Sequence, residues 1–398
     1  MKILVACELP DAALEQLRSL ASQLVYAPQA AGPELRDNLA DVGVLVVGGN
    51  RVSPETIAPG KALQMIVRAG AGPGEIAVEE ASAQGIFVTH CRDQHAAAIA
   101  ELTFGLILAL DRRIVDNTLA LREGRWNRGE LGVARGLAGR TLGILGYGAA
   151  GRLVARRARA FEMRVLAWSP TLAPGAASEP QVEFCNWPRE LARQSDVVTV
   201  QAVDDERELL VDAEFLQNLP VGALLVHVGH PGAVDEAALA EALQQGRLRA
   251  ALDVFSTEPA SDSARFRSRL CELPGVVCTQ HIGRLTEQAR QAVADEVVRI
   301  VRSFLVSGEV LNCLNVCEHS PATWQLMLRL RDQVGVLAAI LEAVRADGIN
   351  AQEINSRIFT GAKAGWCTIA LDERPSTEAL DAMRALPDVL HLELRAVV

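Results

Sequence analysis

The chain has 398 residues, 49% of them hydrophobic and 22% charged, with 39 Lys and Arg against 49 Asp and Glu. That length suits roughly two to three domains with several cores, and a net charge of −10 opposes non-specific attraction to nucleic acid or an anionic membrane. Small molecules are the partners left. The eight cysteines are scattered, with only Cys313 and Cys317 close together, so core thiols are expected and no metal centre.

The first residues run straight into a strand without the apolar stretch of a signal peptide, and the longest apolar helix candidate, 102–110, is too short for a bilayer. A cytoplasmic protein with reduced thiols is expected. Strands at 3–6, 44–47, 64–67 and 86–89 alternate with helices such as 12–21, the rhythm of a parallel α/β sheet. One long helix, 96–124, carries Ile99, Thr103, Leu106, Ile107 and Leu110 on one face and bridges this lobe to the next.

Residues 142–151 then read as an apolar strand followed at once by Gly146, Gly148 and Gly151 in G-x-G-x-x-G spacing, with Tyr147, Ala149 and Ala150 between them. Gly146 permits the tight turn, Gly148 lets backbone approach a pyrophosphate, and Gly151 lets the next helix, 151–161, pack on the sheet. The helix's positive end favours the anion, so a dinucleotide is expected; a plain glycine-rich turn is the other reading. Arg156, Arg157 and Arg159 form a solvated face of that helix.

Strands recur at 164–167, 197–201, 224–228, 250–254 and 276–279, completing a doubly wound sheet. A second long helix, 286–306, returns to the first lobe. Alternating Leu326, Leu328 and Leu330, a helix at 335–347, strands at 349–358, 365–371 and 389–394, and a helix at 377–386 then spell a β-α-β-β-α-β unit. The expected domains are 1–97 with 287–315, 98–286 and, past a linker near 315–321, 322–398.

Asp253, Glu258 and His281 follow predicted strands, where ligands bind in such sheets. An imidazole tuned by a carboxylate suits proton exchange with a carbonyl near neutral pH, which makes His281 a candidate acid-base and Glu258 its partner; a surface histidine beside an unrelated glutamate is the alternative.

Several further segments keep a common order: Arg68-Ala69-Gly70-Ala71-Gly72, Gly124-Arg125-Trp126, 137–143, 234–239 and Leu252-Asp253-Val254-Phe255. Together with Glu258 and His281 they make nearly the full length resemble the NAD-dependent D-isomer-specific 2-hydroxyacid dehydrogenases, in particular the phosphoglycerate dehydrogenases that carry a C-terminal ACT domain. The resemblance implies two Rossmann-like doubly wound lobes, one for substrate and one for NAD, plus a βαββαβ ACT domain. It also implies hydride transfer between nicotinamide and a small 2-hydroxy or 2-keto acid, with Asp253 on the cofactor side and Gly70, Ala71, Gly72 and His95 on the substrate side.

Departures from the family pattern cluster on the substrate side. The turn that should hold a catalytic arginine reads His227-Val228-Gly229-His230-Pro231-Gly232, so His230 occupies the arginine position. An arginine offers a permanently charged fork, whereas a histidine offers one well-aimed donor. Val47-Gly48-Gly49-Asn50 lacks phosphate-gripping groups, Gly72-Pro73-Gly74-Glu75 replaces a Gly-x-Asp-Asn stretch, and His95 and Ala98 replace Asn and Ser. Arg284, with Arg51 or Arg92, is the expected replacement charge.

At the cofactor's ribose, Ser169 stands where an acidic residue is usual, so neither NAD nor NADP is enforced; the lack of a following arginine favours NAD. In the tail, Asp332 and Gly335 are the expected contacts of an amino-acid effector such as serine, with Val334 in place of proline and Leu330 where a serine-binding histidine can occur. Pairing of such domains implies a homo-oligomer, dimer or tetramer. The alternative function is a cofactor-binding sensor or assembly protein that has lost efficient hydride transfer.

Overall fold

Short runs of β-branched and aliphatic residues set the architecture, because strands buried on both faces need apolar side chains at every position. The computed structural model describes residues 1–170, 179, 181–201, 209–259, 263–317 and 320–397. It divides into two units, Met1–Asn315 and Val316–Val398. Among the described residues the first unit holds two parallel sheets.

The first sheet contains β1 (Lys2–Ala6), β2 (Gln23–Tyr26), β3 (Val44–Val47), β4 (Met65–Arg68) and β5 (Phe87–His90), in the order β2-β1-β3-β4-β5. Alternate residues feed opposite faces. Ile3, Val5, Val44, Val46, Met65 and Val67 pack against the helices Asp11–Leu20 and Glu287–Ser307, while Leu4, Leu45, Val47, Ile66 and Val88 meet Leu35, Leu39 and Ile57. The helix Glu287–Ser307 thus returns from the distant end of the unit to cover the first sheet, through Val293, Val297 and Ile300. Thr286 caps it, accepting the Ala289 N–H at 3.1 Å.

The second sheet contains β6 (Thr141–Leu145), β7 (Arg164–Trp168), β8 (Glu183–Phe184), β9 (Val197–Val200), β10 (Ala223–His227), β11 (Leu248–Leu252) and β12 (Val276–Cys278). Their order is β12-β11-β10-β9-β6-β7-β8, which reverses direction between β6 and β9. This is the doubly wound arrangement with a topological switch point beside β6. One face packs against the helices Ala96–Asp111 and Ala149–Ala160, the other against Pro188–Gln194, Ala213–Asn218 and Glu236–Gln244.

The single long bridging helix expected at 96–124 is two helices, Ala96–Asp111 and Ile114–Arg122. Arg113 breaks it in the left-handed region at φ +51°, tied to Asp116 at 2.9 Å. Apolar periodicity carries no record of one residue's change of hand. The end of the first helix is pinned by a buried ion pair: Arg140 donates to Asp111 at 2.9 Å and to the carbonyls of Gly136 and Asp196. Strands β2 and β8 were not expected from the sequence; each is short and partly exposed at a sheet edge, so its apolar pattern is weak.

The second unit contains β13 (Trp324–Arg331), β14 (Ala351–Ile358), β15 (Ala364–Leu371) and β16 (Val389–Ala396), with helices Val336–Ala346 and Thr377–Arg384. They form the expected β-α-β-β-α-β order as an antiparallel sheet, β14-β15-β13-β16. Leu326, Leu328 and Leu330 alternate into a core with Ile340, Val344, Ile369 and Met383. Part of the expected linker, 318–319, lies outside the described residues.

Candidate active site at the strand ends

The carboxyl ends of β6, β9, β10, β11 and β12 share one edge of the sheet, since each neighbouring pair is parallel. Two structures stand on that edge, one built from backbone and one from side chains.

The backbone structure is the glycine turn after β6. Gly146 lies in the left-handed region at φ +93°, and its N–H bonds the Trp168 carbonyl at 2.9 Å. A Cβ on Gly151 would sit 2.4 Å from the Gly146 carbonyl oxygen, so only glycine lets the helix close onto the turn. Gly148 precedes the helix Ala149–Ala160, whose start has no side-chain cap. A Cβ there would meet nothing within 4 Å. Among the described residues, open space therefore faces uncapped amides at a helix's positive end, the environment that fits the pyrophosphate of a dinucleotide.

Ala149 and Ala150 form the helix's first turn, half-buried. Tyr147 contributes only backbone to this cradle. Its ring is buried edge-on to Phe184 at 5.1 Å between centroids, and its hydroxyl donates to Glu179. Ser169 is buried just beyond β7.

The side-chain structure is the turn after β12. His281 takes φ +52°, a conformation that costs a β-carbon residue energy and is held by its surroundings. Asp253 does the holding: its carboxylate accepts Thr279 Oγ1 at 2.6 Å and the N–H groups of Ile282 and Gly283, each at 2.9 Å, while its carbonyl accepts the His281 N–H at 2.8 Å. Asp253 is 1% exposed. A buried carboxylate filled by three donors of one turn shapes that turn.

Glu258 is fixed in the same way, one carboxylate oxygen accepting the Phe255 N–H at 2.8 Å and the other lying 2.7 Å from His281 Nδ1. The structure thus brings His281 and Glu258 together, though they are distant in sequence. On the ring's other side, Arg284 Nη2 lies 3.3 Å from His281 Nε2. An arginine has only donors, so Nε2 accepts and Nδ1 carries the proton toward Glu258.

The first lobe supplies the opposite wall. The Arg68 guanidinium donates to the carbonyls of Ala71 and Gly72, and the Gly72 N–H donates to His90 Nδ1 at 2.9 Å, folding the Gly70–Ala71–Gly72 turn onto β4 and β5. His95, just before the helix Ala96–Asp111, has Nδ1 buried with no partner among the described residues. Burial, then the charges of Arg284 and Arg68, push this imidazole down to about 4. Arg284 and Arg68 therefore flank His95. Arg51 and Arg92 are exposed, Arg92 beside Asp93 at 3.6 Å, and Asn50 accepts the Gly48 N–H at 3.3 Å and donates to the Ala30 carbonyl of a neighbouring loop at 2.8 Å.

The turn after β10 holds His230, half-buried, its Nδ1 accepting the Gly232 N–H at 3.1 Å. With Nδ1 accepting, a neutral ring carries its proton on Nε2. Beneath it, His227 is 2% exposed, and burial holds its imidazole down to about 3. Neither His227 nor Thr279 was singled out from sequence. Thr279 lies two residues before His281, and its place in the site comes from its hydroxyl on Asp253.

In the second unit, Gly335 starts the helix Val336–Ala346 at φ +91° and Asp332 is exposed, its N–H bonding the Lys363 carbonyl. Val334 projects fully from the turn between them, while Leu330 is buried in the core.

Residues 104–283 match the family described as D-isomer specific 2-hydroxyacid dehydrogenase, NAD binding domain. The chain is 32% identical over 343 residues to a D-3-phosphoglycerate dehydrogenase of Methanocaldococcus jannaschii, an alignment covering 84% of this chain and 64% of that protein. It thus spans less than two thirds of that relative's length. It is 35% identical over 268 residues to a hydroxypyruvate reductase of Thermotoga maritima, covering 67% of this chain and 85% of that one. The TT0316 protein of Thermus thermophilus superposes with a TM-score of 0.68 at 32% identity, over 79% of this chain and the whole of that one. With the glycine cradle, the strand-end histidine and a relative matched over most of its length, the chain belongs to the D-isomer-specific 2-hydroxyacid dehydrogenase family, and its second sheet is that family's NAD-binding domain.

Proposed function

We propose that the protein is an NAD-dependent oxidoreductase interconverting a small 2-hydroxy acid and its 2-keto acid. The observation that carries this reading is the 2.7 Å pair of His281 Nδ1 and Glu258 on the same sheet edge as the open glycine cradle. Bound at that cradle, a nicotinamide cofactor supplies or accepts the hydride at the substrate's C2.

The chain's own residues handle the proton. In reduction, His281 protonated on both ring nitrogens donates the Nε2 proton to the carbonyl oxygen and becomes neutral, Glu258 having stabilised the charged ring; in oxidation the neutral Nε2 accepts the hydroxyl proton. Asp253 keeps the ring in place by clamping the backbone on either side of it. The Gly70–Ala71–Gly72 turn and His95 shape the opposite wall.

The substrate we favour is a small keto acid rather than a phosphorylated one, because Asn50 is taken up by Gly48 and by the Ala30 carbonyl, which supports the absence of a phosphate grip there. NAD is favoured over NADP, since no arginine follows Ser169 in the sequence to pair a 2′-phosphate. The exposed apolar residues Ile114, Leu119, Leu121 and Trp126 support a homo-oligomer. The eight unpaired thiols accord with the cytoplasm. An ACT-like role for the second unit, with an amino-acid effector at Asp332 and Gly335, rests on its β-α-β-β-α-β order and on the turn that Gly335 makes.

The test is NADH oxidation with hydroxypyruvate, glyoxylate and 3-phosphohydroxypyruvate, with NADPH in parallel. Turnover on at least one is expected, the two unphosphorylated acids leading. Tight NADH binding without turnover on any of them favours the sensor or assembly reading, which the single donor of His230 keeps in view.

A further inference from the structure

The turn after β12 ends in a residue whose surroundings are unlike those of the chain's other catalytic-side groups. Arg284 is half-buried, has no carboxylate partner among the described residues, and rests its guanidinium on His281 Nε2 at 3.3 Å. That nitrogen is the one Glu258 leaves for the cleft. An oxygen that accepts a hydrogen bond from it, at roughly 2.8 Å, lies within reach of the Arg284 fork as well.

We propose that Arg284 grips the carboxylate of the 2-keto or 2-hydroxy acid beside His281, doing after β12 the anion-holding work that the turn after β10 has lost to His230. This rests on the dehydrogenase reading above and names how that site takes its substrate.

Three features carry the assignment. The first is anchoring. The N–H groups of Ile282 and Gly283 are clamped by Asp253, and the Arg284 carbonyl accepts the Thr286 N–H at 3.1 Å as the next helix begins. The base of the side chain is thereby fixed, while among the described residues its tip meets a side chain only at the His281 ring nitrogen. A carboxylate is a far better partner for a guanidinium than a neutral acceptor, because both oxygens can be met in parallel by charge-assisted bonds.

The second is the field. Arg284 and Arg68 both act on His95, so the cleft between the lobes is positive where the substrate's charge has to sit. Arg68 is itself engaged with the carbonyls of Ala71 and Gly72, which leaves Arg284 as the cation suited to direct contact. The third is the vacancy it fills. His230 has its Nδ1 bonded to Gly232 and cannot offer two parallel donors.

The test uses oxalate, a non-reducible dicarboxylate, titrated into the full-length protein with NADH by calorimetry, alongside NADH affinity and keto-acid kinetics. Arg284→Met should weaken oxalate binding by about 30-fold, the loss of a charge-assisted pair, and raise KM for the keto acid similarly. NADH affinity should stay within about twofold, which also reports an intact fold. Arg284→Lys should recover part of the loss, since charge returns without the fork. Adding His230→Arg to Arg284→Met should restore oxalate binding by returning a fork to the β10 turn.

Oxalate binding within twofold of wild type in Arg284→Met, with NADH binding and turnover intact in wild type, overturns the proposal alone. A wild-type protein that binds NADH but neither binds oxalate nor reduces any keto acid overturns the dehydrogenase reading, and the proposal falls with it.

Discussion

The glycine turn after β6 and the histidine turn after β12 stand on one edge of one sheet, yet they are held by different means. The first depends on the absence of side chains: a left-handed glycine, a helix start without a cap, and a contact of 2.4 Å that no Cβ survives. The second depends on side chains meeting: Asp253 with three donors, Glu258 with two, Arg284 on the ring. A backbone site tolerates little change but accepts any ligand with the right charge and shape. A side-chain site can be rebuilt residue by residue.

Substitutions should separate the two. The largest effect is expected for His281→Gln, which removes the proposed proton carrier while leaving the cradle untouched: turnover should fall by roughly 10²–10⁴-fold. NADH affinity should be unchanged within about twofold by fluorescence titration; a large loss of NADH binding contradicts the division. Asp253→Asn comes next. The amide places a donor against the N–H groups it must accept, so a cost of about 2–3 kcal/mol in the turn, or ~30- to 100-fold in turnover, is expected, again with NADH binding retained. Wild-type turnover in this variant removes Asp253 from the account.

The floor of the β10 turn gives a pH signature. Burial lowers His227 to about 3, so below an unfolded value near 6.5 the unfolded chain binds a proton that the folded chain refuses. The contribution is fully present above that value and is lost as pH falls toward 3. Between pH 7 and 5 the loss from this residue is roughly 2 kcal/mol. His227→Leu should flatten the acid side of the stability curve by that amount in denaturant titrations, and an unchanged slope removes the buried base from the account.

The smallest effect is expected at the cradle. Gly151→Ala forces Cβ against the Gly146 carbonyl, and NADH affinity should drop by about tenfold, ~1–3 kcal/mol being the usual range for overpacking. Turnover at saturating NADH should persist. A variant that binds NADH normally shows that the turn has room the geometry denies.

The same contrast explains what the sequence made legible. Strands such as Val44–Val47 and Leu248–Leu252 are apolar runs between turns, and the cradle is a spacing of glycines, so both are written locally. The helix break at Arg113 and the edge strands Gln23–Tyr26 and Glu183–Phe184 depend on a single dihedral or on a neighbour's hydrogen bonds, which periodicity does not encode. His281 and Glu258 were readable as a pair through their place in the motifs. The hold of Asp253 on the turn was not, because which donors fill a buried carboxylate is decided by the fold of residues 279–283 and not by their order. Likewise His230 was visible as an exchange, but its bond to Gly232, which fixes the donor it has left, was not.

The most direct measurement is a stopped assay of NADH consumption with glyoxylate and hydroxypyruvate, run on wild type and His281→Gln at saturating NADH. Reduction of at least one acid by wild type, falling by a hundredfold or more in the variant, is the predicted result. Equal rates in the two proteins, or no reduction by either despite bound NADH, would contradict the assignment of His281 as the proton carrier of a 2-hydroxyacid dehydrogenase.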